Sequence, residues 1–347
     1  MKTKKLPLFY IIYFSLLAVF FIALICFSIY LSNFIKQYNQ GIPETVSQRF
    51  FESTFLNLDP DKIIEMSGEK PCEFETTDDL KAFITENFSN DLTYTSISSD
   101  IENTKTYIVK SGEYKIATFT LICDKNNDYS PSTLSLHLPK HTNKTVRILS
   151  SSSLTINGVP VTDEYIVNRE PHKNAMFLPE EVSCPEWLTY EISGLTKEPQ
   201  LVISDRNGNK PQLLEEDGIL CEQVIYDEPE KEIVDRLLTA AKKYAACMQN
   251  DESKYSVLPY FEKGTDIYES IRTVENTFVW DHAGYSIEDE NISEFMRYDE
   301  NTVSVRISFT HTLKMHGRED YHDITDITYF ARCIDGKYYI FNRYNNI

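Results

Sequence analysis

The chain has 347 residues, 25% of them charged and 13% aromatic, with 34 Lys plus Arg against 53 Asp plus Glu. That composition excludes a disordered or collagen-like polymer and predicts two or three domains with ample core. A net charge of −19 excludes a surface that grips polyanionic nucleic acid.

From Leu6 to Ile35 there is no charged residue, and Leu8 to Leu31 is almost wholly Leu, Ile, Phe, Tyr, Ala and Val. About 20 apolar residues span a bilayer core, so the run is long enough to cross one with some tilt. Lys2, Lys4 and Lys5 precede it without an acidic residue, which predicts a cytoplasmic amino terminus (1–5), a membrane span (6–35) and an extracytoplasmic remainder. A cleaved signal peptide has a shorter apolar core and a small-residue cleavage site; here Ile25 is bulky and apolar sequence continues past Cys26, so an uncleaved signal anchor is expected. Without the four lysines of residues 1 to 36, 30 basic residues stand against 53 acidic ones, a net charge of −23. Six cysteines follow the span and show no CxxC or Cys/His spacing, which predicts single buried thiols, with one or two bridges left open in an oxidising compartment, and neither a zinc site nor a disulfide scaffold.

Ile42 to Leu58 sets Val46, Phe50, Phe51, Phe55 and Leu58 at helical spacing, with Pro43 suited to the first turn. Asp59-Pro60 stops that helix and starts a short one that ends near Gly68, and Thr76 to Asp79 offers caps for a third through Leu80, Phe83, Ile84 and Phe88. The period then becomes two, through Leu92 and Tyr94, Tyr107 and Val109, and Tyr114 to Leu121, with a turn at Ser111-Gly112.

From Ser132 to Tyr226 short alternating runs predict a small all-β module of sandwich type. Asn157-Gly158 sets the tight hairpin of Leu154-Ile156 with Val159-Val161, and Asn207-Gly208 separates Leu201-Val202-Ile203 from Leu213-Leu214. Glu228-Pro229 opens the longest soluble helix. Ile233, Leu237, Ala241, Tyr244 and Met248 form its apolar stripe, leaving Lys231, Arg236, Lys242 and Lys243 for water. Helical fragments at Tyr255–Tyr260 and Asp266–Ile271 precede five strands, near 274–287, 292–298, 303–313, 321–333 and 337–342, with Asp335-Gly336 as the last turn. Helices followed by antiparallel strands thus occur twice, a repeat of architecture in which helices cover one sheet face.

The long helix after Pro229 and the ending Tyr329-Phe330-Ala331-Arg332-Cys333-Ile334-Asp335-Gly336-Lys337-Tyr338-Tyr339-Ile340 resemble an NTF2-like cone with its aromatic terminal hairpin. Ile42 to Asp124 is similar but weaker. The expected fold is therefore α+β: an N-terminal transmembrane helix, then two NTF2-like cone domains (38–130 and 227–347) flanking the β module (131–226). An anchor followed by such modules resembles bacterial single-pass envelope proteins of the TcaA-like family, with VirB8/TcpC-like conjugation-channel scaffolds as the alternative. The zinc-ribbon cysteines of the first are missing before the anchor, and the second has no β module between its cones. LTINGVPV, Leu154 to Val161, is also similar to the hairpin of PEGA-type surface modules.

Cone enzymes such as isomerases and dehydratases place an acid/base Asp or His and a donating Tyr in an apolar mouth. The ligand-binding candidates on that pattern are Trp280, His311, His322, Tyr255 and Tyr268, with Asp281 and His282 beside them; His311 and His322 are expected diagonally across a strand pair on one face. Asp320 and Asp323 are read as turn-solvating, and His311, His316 and His322 lack a carboxylate at ligand spacing, so no metal, catalytic residue or cofactor is assigned. GxSxG, Walker, HExxH and GxGxxG signatures are missing. The expected role is a non-catalytic binding or scaffold protein of the cell envelope, anchored in the bilayer through 6–35, with a protein or cell-wall partner, no nucleic acid, and self-association left open. The alternatives are a small-ligand-binding or isomerase/dehydratase-like NTF2-fold enzyme and a conjugation-channel scaffold component.

Overall fold

The structure is a computed structural model and describes residues 8–88, 91–97, 101–125, 127–138, 142–275 and 281–347. It is a mixed α+β chain with one long apolar helix at its start and several sheets. It divides into two units, 1–143 with 193–199, and 144–192 with 200–347. The second unit therefore holds most of the central strands together with the carboxy-terminal sheet.

In the first unit, α1 (Leu8–Gly41) runs 34 residues, about 51 Å at 1.5 Å per residue. Within Ile12–Gly41 an 18-residue window has a mean hydropathy of 2.7 and none of that window is buried, which makes α1 long and apolar enough to cross a membrane. Helix α2 (Pro43–Phe51) has its proline in the first turn, as expected, but the following Glu52–Leu56 is a π-turn. Asp59 caps α3 (Pro60–Ser67) by accepting from the Lys62 N–H, and Gly68 ends it in the left-handed region at φ 71°. Thr76 and Asp79 form a reciprocal capping box on α4 (Thr77–Asn87). Lys197 pairs with the same Asp79, and these contacts, the lysine foremost, hold its carboxyl down at about 2.

Strands β1 (Leu92–Ile97), β2 (Thr104–Ser111), β3 (Tyr114–Cys123) and β4 (Tyr129–Leu136) form an antiparallel meander. Phe50, Phe55, Ile84 and Phe88 of the helical segment meet Tyr107 and Phe119 of the sheet in one closed cluster. The Tyr107 and Phe119 rings stack at 5.0 Å and 12°.

The central strands are β5 (Thr142–Leu149), β6 (Ser153–Ile156), β7 (Val159–Pro160), β8 (Ile166–Pro171), β9 (Glu186–Leu195), β10 (Leu201–Ser204), β11 (Leu213–Glu216) and β12 (Ile219–Glu222). They form a three-stranded sheet, β10-β6-β7, and a five-stranded one, β11-β12-β5-β9-β8. The Asn157-Gly158 hairpin is present, with φ of 51° and 83° at its two turn residues. The second Asn-Gly pair makes no hairpin. Asp205 accepts from the N–H groups of Asn207 and Asn209 and curls the chain on itself, so β10 joins β6 while β11 joins β12.

Next come α5 (Lys231–Met248), α6 (Lys254–Val257), a 3-10 turn (Leu258–Tyr260) and α7 (Asp266–Thr273). The last sheet is the meander β13 (His282–Arg297), β14 (Thr302–Met315), β15 (Tyr321–Ile334) and β16 (Lys337–Asn345). The first two expected strands of this region are one: β13 pairs along its length with β14 and absorbs register shifts with Asp289 and Glu294 at positive φ, so it bulges where a turn was expected. Ile233, Leu237 and Ala241 of α5 pack on Val305, Ile307 and Tyr329 as the stripe predicts. Arg236 is not left to water. It donates to the carbonyls of Tyr338 and Pro259 and lies between the rings of Tyr260 and Tyr339 at 4.9 and 5.0 Å.

Candidate functional site

The carboxy-terminal sheet has two faces of different chemistry, set by strand parity. Val303, Val305, Ile307 and Phe309 of β14 point toward α5, and His311 continues that series. His311 is fully buried, neither ring nitrogen has a hydrogen-bond partner, and the Tyr285 ring meets it edge-on at 5.1 Å. Burial disfavours the imidazolium and lowers its pKa from the ordinary histidine value, against the pull of Asp251 and Asp323. His282 lies nearby, with Nε2 3.0 Å from both carboxylate oxygens of Asp251.

His322 is on the other face. The register pairs His311 with Asp323 and Thr312 with His322, and residues directly opposite share a face, so the two histidines point in opposite directions. His322 Nδ1 is 2.9 Å from Thr312 Oγ1. The expectation of one shared face is corrected by a single step of register, which only strand pairing fixes. Tyr255 is 75% exposed on α6, and Tyr268 packs at the edge of the core under α7. Trp280 lies outside the described residues; Asp281 is exposed. The four described candidates, Tyr255, Tyr268, His311 and His322, therefore do not converge on one place. Asp320 accepts from the Met315 N–H and from Lys314, which holds its turn. Among the described residues no group of three or more His, Cys, Asp and Glu is placed to hold a metal. All seven cysteines are free thiols, and of the six beyond the span only Cys247 is buried, fewer than the spacing argument expects.

The face turned away from α5 carries a polar network that the sequence did not single out. Arg306 donates to both oxygens of Asp326, at 2.8 and 2.6 Å, and to Glu294 at 2.7 Å, while Lys173 pairs with Glu294 at 3.0 Å. Burial alone would push Glu294 up, but hydrogen bonds from Arg306 and Lys173 outweigh it and hold the carboxyl below its usual range. Asn174 donates to the Tyr298 hydroxyl at 2.7 Å, and the Phe177 ring stacks on Phe330 at 5.4 Å. These contacts join the segment after β8 to the last sheet inside one unit. Alternation shows each residue's face but not a partner more than a hundred residues away.

On the α5 side, the sheet's apolar layer is filled by its own side chains from Ile233 to Tyr329. It opens toward the end of α5, where a cleft of about 240 Å³ is lined by Tyr244, Met248, Asp323, Ile327 and Arg343 among others. Arg343 faces this space because it pairs in register with Tyr329, and its guanidinium lies 4.8 Å over the Tyr244 ring.

No family model and no curated protein matches this chain. Among solved structures a distant neighbour is described as an "Ntf2 like protein involved in plasmid conjugation", 8% identical, covering 85% of this chain and 97% of its own, at a TM-score of 0.23. A superposition that loose settles neither the fold nor a role for any residue.

Proposed function

We propose that the protein is a single-pass, membrane-anchored binding or scaffold protein of the cell envelope, without catalysis, its amino terminus cytoplasmic and its bulk extracytoplasmic. The observation that carries this is α1, whose strongly apolar 18-residue window is not buried in the protein. A helix that greasy is stable only when something apolar covers it, and its length suits a bilayer. Lys2, Lys4 and Lys5 ahead of it favour the cytoplasmic start.

The non-catalytic part of the reading is supported by packing. The core under each helix-covered sheet is filled by its own aliphatic and aromatic side chains, and the candidate histidines His311 and His322 look away from each other. Two NTF2-like domains around a β module, in an envelope protein of TcaA-like or VirB8/TcpC-like kind, remain a proposal resting on the sequence resemblance and the repeated order of elements.

The test is fractionation and surface proteolysis. The full chain, tagged at each end, should resist carbonate extraction from membranes. Protease added to intact cells, with any outer wall removed, should destroy the carboxy-terminal tag and spare the amino-terminal one. Recovery of the chain in the soluble fraction, or protection of the carboxy-terminal tag, overturns the proposal.

A further inference from the structure

Two edges of the last sheet are finished differently. β13 absorbs three register shifts against β14 and carries Glu288, Asp289 and Glu290 in its middle. Such bulges and charges keep a sheet edge from taking another strand. β15 has no irregularity against β14, with which it pairs from Arg332 down to Tyr321. Its other neighbour, β16, ends earlier: Asn345 stands opposite Ile327, and the Asn346 N–H donates to the Asp326 carbonyl. Among the described residues, 322–325 therefore have a strand on one side only.

Backbone groups point to alternate sides along a strand. Because the Asp326 carbonyl faces β16, the N–H and C=O groups of Ile324 and His322 face the same way and meet no strand. Ile324 is 66% exposed, and the cleft of about 240 Å³ bordered by Asp323, Ile324 and Thr325 leaves room alongside.

The side chains define what kind of strand fits. Asp326 is taken up by Arg306 and Asp320 by Lys314, whereas Asp323 joins no ion pair among the described residues. Asp323 lies opposite His311, on the α5 face, and Ile324 points to the other face. A guest residue opposite Asp323 is thus favoured when basic, and its neighbour opposite Ile324 when apolar. A second copy of this chain is disfavoured. The register that uses all four backbone groups pairs 322 with 324 across a twofold axis and sets two Asp323 carboxylates directly opposite, where like charges destabilise a strand pair.

We infer that the edge of β15 at 322–325 takes up an extended segment of another protein as an added antiparallel strand in line with β16, with a Lys or Arg opposite Asp323 between two apolar residues. Main-chain hydrogen bonds to His322 and Ile324 hold the segment, and its alternating side chains give selectivity. The inference deepens the binding role proposed above and rests on it; fractionation tests the anchor separately, so that result stands whatever the peptides do.

The full chain in phosphatidylcholine nanodiscs, with empty nanodiscs as blank, is titrated calorimetrically with three peptides. These are acetyl-Thr-Val-Lys-Val-Thr-amide, its Glu counterpart, and the Lys peptide N-methylated at both valines, which cannot donate to the edge. The Lys peptide should bind about fivefold or more tightly than the Glu peptide, and should slow amide exchange at His322 and Ile324. The N-methylated peptide should not bind. Asp323→Asn should remove the preference for Lys over Glu. Ile324→Pro deletes one edge N–H at a position where edge strands accept proline, and should weaken the Lys peptide several-fold. The three-peptide comparison on the unaltered protein holds whether or not the variants fold. Equal affinity for the Lys peptide and either control, no heat at millimolar concentration, or unchanged exchange at His322 and Ile324 overturns the inference. So does an intact Lys preference in Asp323→Asn, or protection of those two amides by self-association without peptide.

Discussion

The two helix-covered meanders are built in the same order and finished differently. Around Phe55 and Phe119 the first is closed by stacked rings and aliphatic side chains, and its buried polar side chains are Ser47 and Thr54 at the helical edge. The last sheet buries Thr302, Ser304, His311, Thr312 and Thr328 within its strands. Every buried side-chain polar atom without a hydrogen-bond partner, among the described residues, belongs to the second unit. The same architecture thus serves as a closed support in one place and keeps unspent hydrogen-bonding capacity in the other. A buried orphan group weakens the fold, so the second unit carries a local cost at these positions.

The largest effect that sharpens this contrast is expected in the first core. Phe119→Ala should destabilise that unit by about 3–5 kcal/mol, read as lost hydrogen-exchange protection in β2 and β3 with β14 and β15 unchanged. Equal loss in both regions would show that the two units unfold as one.

Arg306→Ala should cost about 1.5–3 kcal/mol, because Asp326 and Glu294 lose their common donor. Asp326 is held below its ordinary pKa chiefly by Arg306, and Glu294 is lowered by Arg306 and Lys173. Their contribution is present above the unfolded carboxylate range near pH 4 and is lost as pH falls through the depressed folded values. The variant should therefore lose less stability on acidification below pH 4 than the native protein does, measured by denaturant titration across that range.

The smallest expected change has the opposite sign. His311→Leu removes an imidazole that makes no hydrogen bond and should leave stability at pH 7.5 unchanged or raise it by about 1–2 kcal/mol. Because burial depresses the folded pKa of His311, the unfolded chain binds the proton first as pH falls below about 6.5, and folding is weakened there. His172 is lowered by burial in the same way and keeps its share. The drop in melting temperature from pH 7.5 to 5.5 should shrink in the variant without vanishing. A clear loss of stability at pH 7.5 would show that the ring is hydrogen-bonded in solution and would remove one contrast between the two regions.

Local signals were readable where local physics decides. Pro43, the Asp59-Pro60 stop, the Gly68 ending and the Thr76 cap all act within a turn or two of backbone, and each is found where the sequence puts it. The Asp217-Gly218 turn that joins β11 to β12, with φ of 51° and 81°, carried the same kind of signal and went unread. Bulges misled, because Asp289 and Glu294 break the alternation of β13 without ending the strand. Arg236 was expected to face water and does not, since its two aromatic neighbours come from other elements. Of the candidate residues, the sequence could nominate His311 and His322 by type. It contained nothing to join Arg306 to Asp326 and Glu294, whose meeting depends on the pairing of three strands.

Amino-acid order by itself determined the apolar helix, the caps, the turns and the alternation of each strand, because those depend on neighbours a few bonds or one helical turn away. Tertiary structure alone decided strand register, hence that His311 and His322 face apart, and also which buried groups go unpaired and where a cleft remains. Those outcomes are set by which distant segments meet, and a shift of one residue in that meeting would turn every side chain of the strand to the other face.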